Sequence, residues 1–251
     1  MQNNPAIDIY EWTSAWAESA GLKLWRSAET DSTNTTAKDD ADLTTRPVLS
    51  AGARVSAPSL YLTRLQVRGR GRGTNVWQAP SGSSLFHSWS FQVASVPQPI
   101  LSPLVGLALF RAAKGVWPSV AFNLKAPNDL YIESAKVAGI LIEIVDQGTD
   151  KRVVIGIGMN VMSHPENVPT ATSLAQHRVP SHQEWQAFMS ALRTRLEKAV
   201  GEGLGGSLSE SARDELRQAL NLHPLYDEPI VRVDELGQLH RKSGIIRWHE
   251  L

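Results

Sequence analysis

Two segments about sixty residues apart carry the residue types that do chemistry: QVRGRGRGTNVW, Gln66 to Trp77, and KAPNDLYIESAK, Lys125 to Lys136. In the first, glycine lets backbone N–H groups approach a phosphate closely, and arginine supplies a planar fork for phosphate or carboxylate oxygens. Alternating them makes an anion clamp. Two other readings of RGRGRG stay open, a solvated surface loop and an RG-type nucleic-acid contact, but its place between two apolar runs in a chain of zero net charge favours a small ligand. In the second segment a lysine ammonium beside a carboxylate would bind it and stabilise charge developing during acyl activation. Lys125 and Lys136 are too distant to be neighbours in one strand, yet a tight hairpin would return the chain to one site. Asn128 and Asp129 either hold a turn, the commoner role of such a pair, or present an Asp that orients an amine nucleophile or accepts its proton.

GIGMN, Gly156 to Asn160, ends an apolar strand with glycines and an amide, which fits a bulge or turn and equally a contact to ribose or phosphate. Trp77 follows the loop and Trp89 lies on the next strand, so either can wall an apolar pocket. The seven histidines show no HxH or HxxxH spacing and there is no cysteine, so the chain offers no His or Cys metal cage and no disulfide.

These segments must be held by a scaffold of 251 residues, enough for one substantial core and a small appendage. A hydrophobic fraction of 42% and a charged fraction of 20% are those of an ordinary globular chain, without an apolar run long enough for a membrane span. No secretory or transit segment is visible at the start, and a cytoplasmic location is the simplest expectation. Neutral charge argues against a broad nucleic-acid surface.

Helical spacing of Ile9, Trp12, Trp16 and Ala20, with Gly21 as a stop, predicts a helix over 8–20, and LKLW reads as a strand. Asp31-Ser32-Thr33-Asn34 is a run of N-cap residues, so a helix with free N–H groups at its mouth is expected there. SLYLTRLQV and SLFHSWSF alternate as strands on either side of the glycine-arginine loop. A helix with Pro103 in its first turn comes next. VAFNLKAPND, LYIE, VAGILIEIV and RVVIGIGMNV then form four strands close enough to need antiparallel connections. Ser181 and Glu184 make a capping box before one helix, SESARDELRQAL opens another, and EPIVRV and GIIRWHEL are two strands of a small terminal module or of an extra sheet edge.

The ordered blocks DSTN (Asp31 to Asn34), Gln66 with RGR (Arg70 to Arg72), PNDLY with K-x-AGIL-x-E (Pro127 to Glu143), GIGMNV (Gly156 to Val161) and ATSL (Ala171 to Leu174) resemble the biotin protein ligases. The resemblance implies an α+β fold, a mixed β-sheet flanked by helices akin to class II aminoacyl-tRNA synthetases. It implies a catalytic domain over 1–225 and a shortened C-terminal β module over 226–251. It also implies two half-reactions: biotin and Mg-ATP give biotinyl-5′-adenylate, and a carrier-domain lysine then attacks the mixed anhydride. By the same resemblance Ser32, Thr33, Asn34 and Gln66 face biotin's ureido head, while Arg70, Gly71 and Arg72 lie over its carboxyl and the phosphate. Lys136 contacts the activated oxygens, Asn128 a phosphate or its magnesium, Asp129 the incoming lysine, and Asn160 the nucleotide. No prosthetic group is implied.

Biotin, ATP and a biotin carboxyl carrier domain are the implied partners, with no DNA-binding winged helix, no nucleic acid and no membrane; a homodimer is left open. Three departures stand out: Thr74-Asn75 replace a repeated Gly-Arg, Ala126 stands where tryptophan usually precedes PND, and the tail is short. A lipoate ligase or octanoyltransferase is the enzymatic rival, though its RRxxGGG loop is missing. A biotin sensor without turnover is the binding-class rival.

Overall fold

Alternation of apolar and polar residues builds the centre of the molecule, and the computed structural model describes residues 7–42, 44–73, 76–77, 83–126 and 128–248. The strands β1 (Lys23–Thr30), β2 (Ser59–Gln66), β3 (Ser84–Gln92), β4 (Phe122–Lys125), β5 (Asp129–Ile132), β6 (Ala135–Gln147) and β7 (Asp150–Asn160) form one sheet in the order β1-β2-β3-β7-β6-β5-β4. Only β1 and β2 run parallel. The four close-spaced runs after residue 120 are antiparallel, as their short connections require.

Because successive side chains alternate faces, each central strand serves two layers. Leu60, Leu62, Leu85, Trp89, Ile155 and Ile157 enter the main core, whereas Tyr61 and Val154 pack with Ala37 on the other face. The main core is closed by helices α1 (Ile9–Ser19), α3 (Leu101–Val116), α5 (His182–Gly203) and α6 (Glu210–Asn221), with Trp117, Trp185 and Phe188 tilted against one another. The α1 helix is capped by Asp8 and ends before Gly21, whose φ of +64° suits a residue without Cβ. Pro103 sits in the first turn of α3, and α5 carries the expected capping box of Ser181 and Glu184. Together these give the expected α+β fold, a mixed sheet flanked by helices. Among the described residues no helix is long and apolar enough to cross a membrane.

The tail differs from expectation by one strand. β8 (Arg232–Val233), β9 (Leu239–Arg241) and β10 (Gly244–Ile246) make an antiparallel sheet, and β9 escaped notice because LHR is too short to show a period. Val233 and Leu239 join the main core. Tyr226 reaches β4's end, its hydroxyl accepting from the Ala126 N–H at 3.0 Å, so an aromatic ring does stand beside the alanine.

The short helix α2 (Thr33–Asp39) lies on the sheet's second face and is fixed at its C-terminal end. There the guanidinium of Arg152, 3% exposed, donates to Ala37 O (2.6 Å) and Lys38 O (2.8 Å) and pairs with Asp150. A cation on the last carbonyls satisfies them and opposes the negative end of the helix. Arg152→Ala should therefore lower unfolding free energy by about 3 kcal/mol, as expected for leaving buried partners unpaired. Urea unfolding of the two proteins at neutral pH measures it.

Candidate functional site

The N-terminal end of α2 opens into a cavity of about 340 Å³ between α2, β6, β7 and the β2–β3 loop. It is lined by all eleven residues that the family resemblance assigned to the site: Ser32, Thr33, Asn34, Gln66, Arg70, Gly71, Arg72, Asn128, Asp129, Lys136 and Asn160. Lys125 is not among its walls; it lies over the Tyr131 ring at 5.7 Å, on β4 at the edge of the sheet, the strand farthest from β7 on that side. Trp89 is also outside, fully buried against Trp16 and His87. Thr74, Asn75 and Pro127 lie outside the described residues.

One of the N–H groups expected at the mouth of α2 is already taken. Gln66 Oε1 accepts from the Thr33 N–H (2.8 Å) and hydroxyl (3.2 Å), a side chain from β2 standing in for a local cap. Gln66's amide N–H groups and the Ser32 hydroxyl, which caps nothing, are among the groups able to meet a ligand. Deeper in, Ser88 donates to Asn34 Oδ1 (2.6 Å) and lies 2.7 Å from Thr33 Oγ1, while Asn34 Nδ2 donates to Leu141 O (3.1 Å) and Glu143 (2.9 Å).

Glycines make the floor. A Cβ at Gly156 would lie 2.2 Å from Asn34 Oδ1, and one at Gly158 would lie 2.5 Å from the Trp77 indole nitrogen. Gly139 is Gly158's register partner on β6, and its Cβ would stand 3.0 Å from the same indole. Trp77 thus lies flat on a strip of bare backbone, an apolar wall for whatever shares the cavity. It is held there by the Trp77 N–H bond to Gly69 O (2.9 Å) and the Arg70–Val76 bridge.

Charge gathers beyond the indole. Lys136 Nζ is 5.4 Å from the Trp77 ring centre and 2.7 Å from Asp129 Oδ1. Residues 170–172 are strung beside Lys136 by its N–H to Thr170 O (2.8 Å) and the Thr172 N–H to its carbonyl (2.9 Å). Asn160 donates to Thr172 O (3.1 Å), and its buried Oδ1 finds no donor among the described residues. Asn128 donates to Ile140 O (2.6 Å), a bond at the open end of the β5–β6 hairpin. Among the described residues no group of three or more His, Asp or Glu is placed to hold a metal.

Sequence reasoning missed His87, Ser88 and the role of Glu143. His87 lines the cavity floor; burial pushes its imidazole down to about 3, so it is neutral, with Nδ1–H donating to Ile157 O at 3.0 Å. No local pattern marks such residues, since their partners lie dozens of positions away.

Comparison with known proteins bears on this geometry. The profile described as Biotin/lipoate A/B protein ligase family matches residues 29–160, over half of the chain. The chain belongs to that family. Among curated relatives, it is 35% identical over 109 residues to Biotin--protein ligase 1, chloroplastic, of Arabidopsis thaliana, covering 41% of this chain and 29% of the relative. It is 35% identical over 160 residues to the Biotin--[acetyl-CoA-carboxylase] ligase of Mycobacterium tuberculosis, covering 60% and 55%. The aligned stretches thus span between about a third and about half of these relatives' length. In fold it is similar to the biotin protein ligase from Aquifex aeolicus in complex with biotin and ATP, with TM-score 0.66 and 23% identity over 89% of this chain and 94% of that one.

Gly156→Ala should lower stability by about 1–3 kcal/mol, since the new methyl displaces Asn34 from its bonds. Gly115→Ala, on α3 with nothing within 4 Å of its Cβ, should be neutral or stabilising. Parallel urea titrations of the two variants check the contrast.

Proposed function

We propose that the chain is a biotin protein ligase acting in the cytoplasm. Biotin's carboxylate attacks the α-phosphorus of Mg-ATP, releasing pyrophosphate and forming biotinyl-5′-AMP. A lysine amine of a biotin carboxyl carrier domain then attacks the carbonyl, and AMP leaves. The observation that carries this reading is the order of surfaces along one cavity. Hydroxyl and amide groups of Ser32 and Gln66 come first, then the glycine strip with Trp77, then Lys136, with Arg72 also in the lining. Biotin has that order: a ureido head that donates and accepts hydrogen bonds, an apolar ring and chain, and a carboxylate. The names of the Arabidopsis and Mycobacterium relatives support the same activity.

In this mechanism the Lys136 ammonium opposes the charge that builds on the carboxyl and phosphate oxygens as the acyl–phosphate bond forms, and Arg72 meets the same oxygens from the loop. Asp129, held by Lys136, orients the incoming amine and receives its proton. Asn160 Oδ1 supplies an acceptor for a ribose hydroxyl. Magnesium enters with ATP as part of the substrate, near Asn128. A polar head site favours biotin over lipoate, whose dithiolane has nothing to donate.

Biotin-dependent exchange of pyrophosphate into ATP tests the reading, and lipoate should leave exchange at background. Lys136→Ala should slow exchange by about 10²–10³-fold while changing biotin affinity little, because the lost interaction belongs to the transition state. Exchange without biotin, or equal rates in variant and parent, would contradict it.

A further inference from the structure

Glu143 stands on β6 outside the cavity walls, yet three parts of the site converge on its carboxylate. Lys38 Nζ donates at 2.7 Å, Asn34 Nδ2 at 2.9 Å, and the two terminal nitrogens of Arg70 at 3.2 and 2.6 Å. Burial alone would raise this carboxyl, but the donors Lys38, Asn34 and Arg70 hold it below its ordinary value. The forked edge of Arg70, the part that grips a carboxylate or phosphate, is therefore already spent on an internal partner. Its backbone meanwhile pairs with Val76 and forms the base of the loop that lays Trp77 on Gly158. Through Asn34 and Ser88 the same carboxylate is also connected to Thr33 at the mouth of α2.

We infer that Glu143 is a positioning residue that, with Arg70 as its partner, latches the glycine-arginine loop to the central sheet and sets Asn34 against Thr33. Arg70 then serves as a strut, and Arg72 and Lys136 are the cations that meet the reacting oxygens. A direct anion contact and a strut differ in what their loss does: the first lowers turnover, the second loosens the bound geometry and raises KM. The kinetic half of the inference rests on the ligase reading; the latch itself does not.

The test compares Glu143→Gln, Arg70→Gln and the double variant in biotin-dependent ATP–pyrophosphate exchange and in amide hydrogen exchange of the ligand-free protein. Each single substitution should raise the KM for biotin about tenfold, the factor for one charge-assisted hydrogen bond at the low end of its range, with kcat changing less than about threefold. The Trp77 amide, bonded to Gly69 O, should exchange about tenfold faster in both. The double variant should be no worse than Glu143→Gln, because both substitutions remove one interaction. A fall in kcat with KM unchanged in Arg70→Gln, additive effects in the double variant, or an unchanged Trp77 amide would overturn the latch. If Glu143→Gln does not fold, Arg70→Gln, whose side chain is 39% exposed, decides both measurements alone. A parent protein without biotin-dependent exchange would sink the ligase reading and leave the Trp77 amide to decide the latch.

Discussion

A buried amide rests against a strand that has no side chain to offer it. Asn34 sits where a Cβ on Gly156 would be, and from there it bonds Ser88 on β3, Leu141 O on β6 and Glu143 further along the same strand. Three neighbouring strands and one short helix are thereby fixed relative to each other by one side chain. An unsatisfied amide in such a place would cost about 1–3 kcal/mol, so its partners are constrained together. The cavity exists because the remaining glycines, Gly139 and Gly158, continue the bare strip beyond the amide and leave room for an indole and a ligand.

The two faces of the sheet divide the work. On the core face, large apolar side chains supply the stability that lets the opposite face carry polar groups at awkward positions. The Lys136–Asp129 pair illustrates the trade. A partly buried ion pair adds little net stability, but it fixes two charged groups relative to each other in the wall of the cavity. The Arg152 contacts with α2 do the same from the other end of the helix. Arg152 thus positions α2 from outside the cavity walls.

Much of this was legible in the chain. Alternation in SLYLTRLQV and the run from VAFNLK to GIGMNV set strand order locally, and the cap residues Ser181 and Glu184 marked a helix start as expected. The ordered blocks around Asp31, Gln66, Asn128, Lys136 and Asn160 pointed to residues that now line one cavity. What stayed hidden depends on distant partners. Nothing near Gln66 announces that it caps α2, nothing near Glu143 names Arg70 and Lys38, and the strand β9 is too short to show a period. Lys125 and Trp89 looked equal to Lys136 and Trp77 in sequence, and only the place of β4 at the sheet edge and the facing of β3 separate them.

The account stands on a carboxylate being activated at phosphorus within this cavity. Biotin carrying oxygen-18 in both carboxyl positions, turned over with ATP and a biotin carboxyl carrier domain, follows that oxygen by mass spectrometry. Attack of the carboxylate on the α-phosphorus and departure of AMP from the carbonyl leave one heavy oxygen in each AMP. Unlabelled AMP, or release of ADP in its place, would contradict it.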